Sequence, residues 1–324
     1  MRLLNQACEA LIQKYSDNPS EYINLMYQHI ERCGRTCYRS SDKITEDSAK
    51  PFVERMIKSN HTAMLEHGTV YLTITYNPEN KKDRKLLGKY FGNPYTKVVS
   101  KVIESPDLNK PLSEQKIGET IRVTKAIAYI TTNYRVIIEN NLQDDLKYLC
   151  EPTEHHKKRY TLFCTTALHC YKDLTRHRVF SFAIESTRYC NYSKTEKFGD
   201  MTFIIPTWIN LKEGQYFDGK YGTSLFEDFL QSSTYSKTSE RFILDLVGVE
   251  RTYNELVEKG WQAQQAAEVL PQCIKGDMII TGFEDDWKHL LDLRYYGTTG
   301  APHPMVKELA TLMKEELEKL GFKY

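Results

Sequence analysis

Between positions 176 and 189 the sequence reads Arg176-His177-Arg178-Val179-Phe180-Ser181-Phe182-Ala183-Ile184-Glu185-Ser186-Thr187-Arg188-Tyr189. Three Arg, one His, one Glu and three hydroxyls of the Ser or Thr type fall within 14 positions, interleaved with apolar residues. A solvated basic face has no use for that apolar material. An anion pocket does: guanidinium groups neutralise phosphate, hydroxyls donate hydrogen bonds, and apolar walls lower the local dielectric. A structural turn with surface ion pairs is the equal alternative on composition alone. Ser186 has no general base beside it in sequence, so it reads as a ligand-holding hydroxyl and not as a nucleophile.

These residues must be positioned by the elements around them. Residues 159–168 predict a strand and 169–176 a short helix leading into Arg176, while 201–206 predict a strand stopped by Pro206. Upstream, 21–33 predict a helix that Gly34 can stop, and 45–58 a second helix with Thr45 as N-cap and Phe52, Val53 and Met56 on one face. His61 to His67 read as a polar connection, 69–76 as a strand, 80–91 as a helix and 126–133 as a strand, followed by short helices near 134–140 and 142–149. Downstream, 236–259 predict a long amphipathic helix through Phe242, Leu244, Leu246, Val249, Tyr253 and Leu256, ended by Gly260. A further turn over 262–270 precedes Pro271. Residues 284–294 predict a helix with acids in its first turn and Arg294 in its last, as the helix dipole favours. The last helix is 304–320, with Met305, Leu309, Leu312, Met313, Leu317 and Leu320 inward and Gly321 as its stop. The fold class is α+β, a mixed or antiparallel sheet core with surrounding helices. A length of 324 residues allows two domains. Residues 78–125 have little apolar content of their own, so the organisation reads as one domain, 1–324, with an insertion there.

Composition narrows the class. Lys and Arg number 44 against 43 Asp and Glu, a net charge of +1, which excludes a broadly basic nucleic-acid binder. Apolar residues at 40% suffice for a core. No run approaches a membrane span, and the N-terminal segment lacks the features of a signal peptide, so the expected location is cytoplasmic. The eight Cys form no Cys-x-x-Cys pair and read as reduced thiols; no metal site is expected. The basic run Glu154–Tyr160 reads as a solvated strand start. Against 3 Trp stand 22 Tyr, a residue suited to half-wet clefts.

Arg176-His177-Arg178, seven residues, then Ser186 matches the RHR-x7-S motif of flavin-dependent thymidylate synthases. The continuation STRYCNYSK resembles the same family. So do HTAMLEHGTVYLTI (61–74), GRTCYRS (34–40), QQAAEVLP (264–271), WKHLLDLR (287–294) and APHPMVKELA (301–310), so that the resemblance spans about 25–320. It implies that family's fold, with FAD as cofactor, dUMP as substrate, and methylenetetrahydrofolate and NADPH as co-substrates. It also implies a homotetramer with shared active sites. By the same resemblance Arg176, His177 and Arg178 hold FAD, with His67 and His289 near the flavin. Asp173, Arg176, Glu185, Ser186, Thr187, Arg188 and Tyr189 hold the nucleotide, with Arg188 on phosphate. Arg294 contacts the uracil ring and favours its N3-ionised form. Classical thymidylate synthases instead activate C5 through a Cys in a Pro-Cys-His context, which this sequence lacks.

Three positions depart from the family pattern. Asp173 stands where Gln is frequent, Ile184 where Glu or Gln is frequent, and Ala267 where many members place an Arg for phosphate. Losing a cation and gaining an acid weakens anion binding unless another cation rebuilds the pocket. These departures keep open flavin-dependent C5 modification of another pyrimidine nucleotide, and a weakly active homologue that binds nucleotide or nucleic acid.

Overall fold

The computed structural model describes residues 1–105, 123–217, 223–231 and 237–324. Strands β1 (Arg2–Leu4) and β2 (Ala7–Ala10) precede helices α1 (Pro19–Thr36) and α2 (Ala49–Lys58). A 3-10 turn, Thr62–His67, leads to β3 (Thr69–Tyr76), α3 (Lys81–Gly88), β4 (Lys97–Glu104), β5 (Lys125–Asn133) and α4 (Tyr134–Glu139). Next come β6 (Arg159–Ala167), α5 (Leu168–Leu174), β7 (Ser181–Ile184), α6 (Thr195–Phe198), β8 (Thr202–Ile204) and β9 (Gly214–Gln215). The C-terminal part holds α7 (Ser224–Gln231), α8 (Lys237–Glu258), α9 (Ala263–Ala266), β10 (Lys275–Phe283), α10 (Glu284–Leu291) and α11 (Pro304–Lys319). A π-helical turn, Asp292–Tyr296, lies between the last two helices. The α+β class holds, with antiparallel pairings dominating the sheets.

The chain divides into two compact units. One is assembled from Met1–Leu11, Cys33–Lys43 and Tyr160–Tyr324, the other from Ile12–Arg32 and Ile44–Arg159. The first carries a four-stranded sheet in the order β2-β6-β10-β7 and a three-stranded sheet in the order β8-β1-β9. Trp287, Leu290 and Leu291 of α10 and Met305, Leu309, Met313 and Leu317 of α11 join Leu162, Met278 and Ile280 in one buried cluster. The second unit is built on the sheet β3-β5-β4, with Tyr22, Met26, Ile30, Phe52, Val53 and Met56 packed among its buried strand residues. Among the described residues no helix is long and apolar enough to cross a membrane.

Several expectations change. Gly34 does not stop α1, which runs to Thr36; a glycine weakens a helix by about 1 kcal/mol but ends it only in a left-handed cap. The second helix begins at Ala49 rather than 45, because Thr45 to Ser48 form a hydrogen-bonded turn. Leu244 of α8 is 48% exposed, and Leu312 and Leu320 are only half-buried. Lys157 and Lys158 are solvated, but His156 and Arg159 of the same run are buried, and Arg159 donates to Thr69 Oγ1 and the Glu66 carbonyl. Within the expected insertion, β4 pairs with β5 as an edge strand; its outer residues are exposed, so the alternation that marks a half-buried strand is missing. Pro106, Pro111 and Gly118 lie outside the described residues, as does the first residue of the predicted helix 236–259. No sequence expectation covers strands β1, β2, β7, β9 and β10. In β10 nearly every residue is buried, which erases the period-two pattern, and glycines 276 and 282 resemble loop punctuation.

Candidate active site

The chain from β6 to β7 places the Arg-His-Arg segment. Helix α5 follows β6 directly and ends after two turns. His177 N–H then donates to the Leu174 carbonyl (3.0 Å) and Phe180 N–H to the His177 carbonyl (3.1 Å). This coiled connection turns His177 and Phe180 inward and leaves Arg176 and Arg178 exposed on either side. Phe180 seats edge-on against buried Trp287 of α10, with ring centroids 4.8 Å apart. Helix α10 is anchored by that tryptophan, and the π-helical turn that extends it carries Arg294.

Arg294 is held from three directions. Its Nε–H donates to His177 Nε2 (3.2 Å), one terminal N–H donates to the Asp173 carbonyl (2.8 Å), and the other nitrogen lies 3.6 Å from Asp173 Oδ1. Because arginine can only donate, His177 Nε2 must be the acceptor, so its proton sits on Nδ1. Burial, with the neighbouring charges of Arg294 and His289, lowers the His177 pKa to about 4. The imidazole is therefore neutral near pH 7 and offers a lone pair to the guanidinium. His289 is exposed, its ring centroid 5.8 Å from that of His177. Asp173, His177, His289 and Arg294 thus form one group, flanked in sequence by the exposed Arg176 and Arg178.

A second group forms beyond β7, which pairs antiparallel with β10. Glu185, a nucleotide candidate by sequence, has a buried side chain. It accepts from Tyr192 Oη (3.0 Å), Lys275 Nζ (3.2 Å) and Asp277 N–H (3.1 Å), and Arg39 Nη1 lies 3.8 Å away. Ser186 opens a turn whose carbonyl accepts from the Tyr189 and Cys190 N–H groups, while its Oγ accepts from Arg188 N–H (3.3 Å). Thr187 is half-buried in this turn, and Arg188 and Tyr189 are exposed, with the Arg188 guanidinium 5.5 Å over the Tyr189 ring. His67 belongs to the other compact unit, fully buried at the end of the Thr62–His67 turn. Ile184 lies on β7, and Ala267 begins a short 3-10 turn after α9.

Lys275, Asp277, Tyr192 and Arg39 carry no signal for a site in the sequence: nothing in Lys275-Gly-Asp277 marks one, and the resemblance over 34–40 assigns Arg39 no role. Arg39 and Asp277 also line a cleft of about 670 Å³ with Thr36, Ser41, Asp42, Phe163, Glu196 and Lys197. Charges of both signs line it, so it is no simple anion pocket. Burial pushes the Cys190 thiol, the only one in the motif segment, up to about 12.

Antiparallel sheets with packed helices thus position a guanidinium between a neutral imidazole and a carboxylate. The thymidylate synthase complementing protein family matches residues 113–320, and the chain belongs to this family, that of the flavin-dependent thymidylate synthases. No curated protein sequence matches the chain. Among solved structures it is similar to the UMP/dUMP methylase PolB from Streptomyces cacaoi bound with 5-Br dUMP, at 15% identity and TM-score 0.40, over 99% of this chain and 93% of that one. It is also similar to thymidylate synthase X from Helicobacter pylori with FAD and dUMP, at 14% identity and TM-score 0.35, over 51% of this chain and 71% of that one.

Proposed function

We propose that the protein is a FAD-dependent thymidylate synthase. It would methylate C5 of dUMP reductively, taking the one-carbon unit from methylenetetrahydrofolate and the hydride from NADPH, as a cytoplasmic homotetramer. The observation that carries this reading is Arg294 held between neutral His177 and Asp173. Methylation at C5 needs an electron-rich ring. A fixed guanidinium can stabilise negative charge on the pyrimidine, which removes the need for a thiol adding to C6. The deeply protonated, buried Cys190 agrees with a thiol-free route.

The donor set suits the cofactor. Arg176 and Arg178 present two exposed guanidinium groups for a pyrophosphate, and His289 is exposed beside the His177 ring. When bound, FAD supplies the hydride and one-carbon carriage that side chains cannot perform. His177 keeps Arg294 oriented without adding a charge, and the Ser186–Tyr189 turn takes the nucleotide, with Arg188 on its phosphate. A second reading, C5 modification of another pyrimidine nucleotide, is favoured by the Asp173 carboxylate beside Arg294. That group can only accept where a glutamine could also donate.

The purified protein is expected to show flavin absorption bands, at least after FAD is added; their absence would sink both readings. With methylenetetrahydrofolate and NADPH, C5-tritiated dUMP should release tritium. Turnover of dCMP but not dUMP would replace the first reading with the second.

A further inference from the structure

Helix α1 ends at Thr36, and the next three residues each grip a different part of the 185–189 turn. The Cys37 carbonyl accepts from Ser186 N–H at 3.0 Å. The Tyr38 ring lies 5.2 Å from that of Tyr189, tilted by 50°. Arg39 Nη1 stands 3.8 Å from Glu185 Oε1. Both tyrosines are exposed, 41% and 57%, so the aromatic pair borders solvent where a ligand could reach it. Arg39 also has a left-handed backbone, φ 44°. A non-glycine side chain in that region is strained, and such residues gather at functional sites. A glycine would relieve the strain, yet position 39 carries an arginine aimed at the buried carboxylate and bordering the 670 Å³ cleft.

We propose that Tyr38 and Arg39 are positioning residues for nucleotide binding: they fix the Ser186–Tyr189 turn through Tyr189 and Glu185, so that its hydroxyls and Arg188 meet the ligand already oriented. This rests on the proposed assignment of that turn to the nucleotide. Arg39 acts through Glu185 and is not its sole support. Lys275, Tyr192 and the Asp277 N–H still satisfy the carboxylate when Arg39 is removed, so the fold survives the loss.

The test separates positioning from stability. Arg39→Gly relieves the left-handed backbone and removes the guanidinium. It should keep or raise the melting temperature while raising KM for dUMP by about tenfold, with kcat within about twofold. Substituting a residue with a merely structural role would lower the melting temperature, and kcat would fall as KM rose. Tyr38→Ala should raise KM similarly and speed amide exchange over Ser186–Cys190 in the ligand-free protein, whereas Tyr38→Phe, which keeps the ring, should restore both. If wild type binds dUMP and both Arg39→Gly and Tyr38→Ala leave KM and the exchange unchanged, the proposal is overturned while the functional reading stands. If wild type binds neither dUMP nor UMP nor dCMP, that reading falls and the proposal falls with it.

Discussion

At the scale of single residues the protein sets one guanidinium against one neutral base. The guanidinium is that of Arg294, and His177 beside it is neutral near pH 7. Arg294→Ala is expected to reduce turnover by at least about a hundredfold, the order found for loss of one preorganised electrostatic donor, while FAD stays bound. Loss of flavin from that variant would instead make Arg294 a cofactor ligand. Cys190→Ala should remain active, because its thiol is buried and pushed up to about 12; an inactive but folded Cys190 variant would overturn the thiol-free route. Residue types were the legible part of this site. His177 stands out in the linear chain by the charged and apolar residues interleaved around it, whereas Asp173, His289 and Arg294 are reached only through the family resemblance. Their mutual arrangement is not legible there, since the hydrogen bonds from Arg294 to Asp173 and His177 join residues more than a hundred positions apart. Glu185 shows the opposite failure. Its place next to Ile184, where the family has Glu or Gln, suggests a nucleotide contact, but its partners Lys275 and Asp277 come from a strand with no signal of its own in the sequence.

At the scale of elements, β10 and the β7 it pairs with decide how the motif is held. A Cβ at Gly282 of β10 would lie 2.3 Å from Phe180 Cε1 and 2.4 Å from its Cδ1. Phe180 is wedged against Trp287 and faces the His177 ring at 6.2 Å. Gly282→Ala should therefore cost about 1–3 kcal/mol of stability through overpacking and also lower activity by displacing His177. Unchanged urea unfolding in this variant would show that Phe180 is free to move. Helical spacing located α11, and runs rich in β-branched and aromatic residues without an internal glycine located β3, β5 and β6. Strand β10 is as buried as β6 but is interrupted by Gly276 and Gly282, and β4 is exposed along most of its length; for both, the neighbours in the sheet decide the conformation. The π-helical turn was equally hidden. A widened helix carries no composition of its own, yet it sets which way Arg294 faces.

For the whole molecule, two buried imidazoles tie stability to pH. Burial lowers His29 to about 3, and burial with nearby cations lowers His177 to about 4, against an ordinary value of 6.5. In the folded chain both stay neutral where the unfolded chain takes up protons. Their contribution is therefore fully present above about pH 6.5 and declines as pH falls toward 4 and 3. Urea midpoints should fall between pH 7 and pH 5, and His29→Leu should flatten that fall; an equal slope in the variant would exclude His29 as a source.

The three-part make-up of the site-bearing unit also bears on dissection of the protein. A fragment beginning at residue 113, where the family match starts, would keep Asp173, His177, Ser186 and Arg294. It would lose β1, the middle strand between β8 and β9, and β2, the neighbour of β6. It would also lose Cys37–Arg39. Two sheets would be left with open backbone edges that invite pairing between molecules, so such a fragment should be insoluble. The start of the family match therefore falls inside a compact unit, and shortening the chain to the matched part removes strands that the matched part needs.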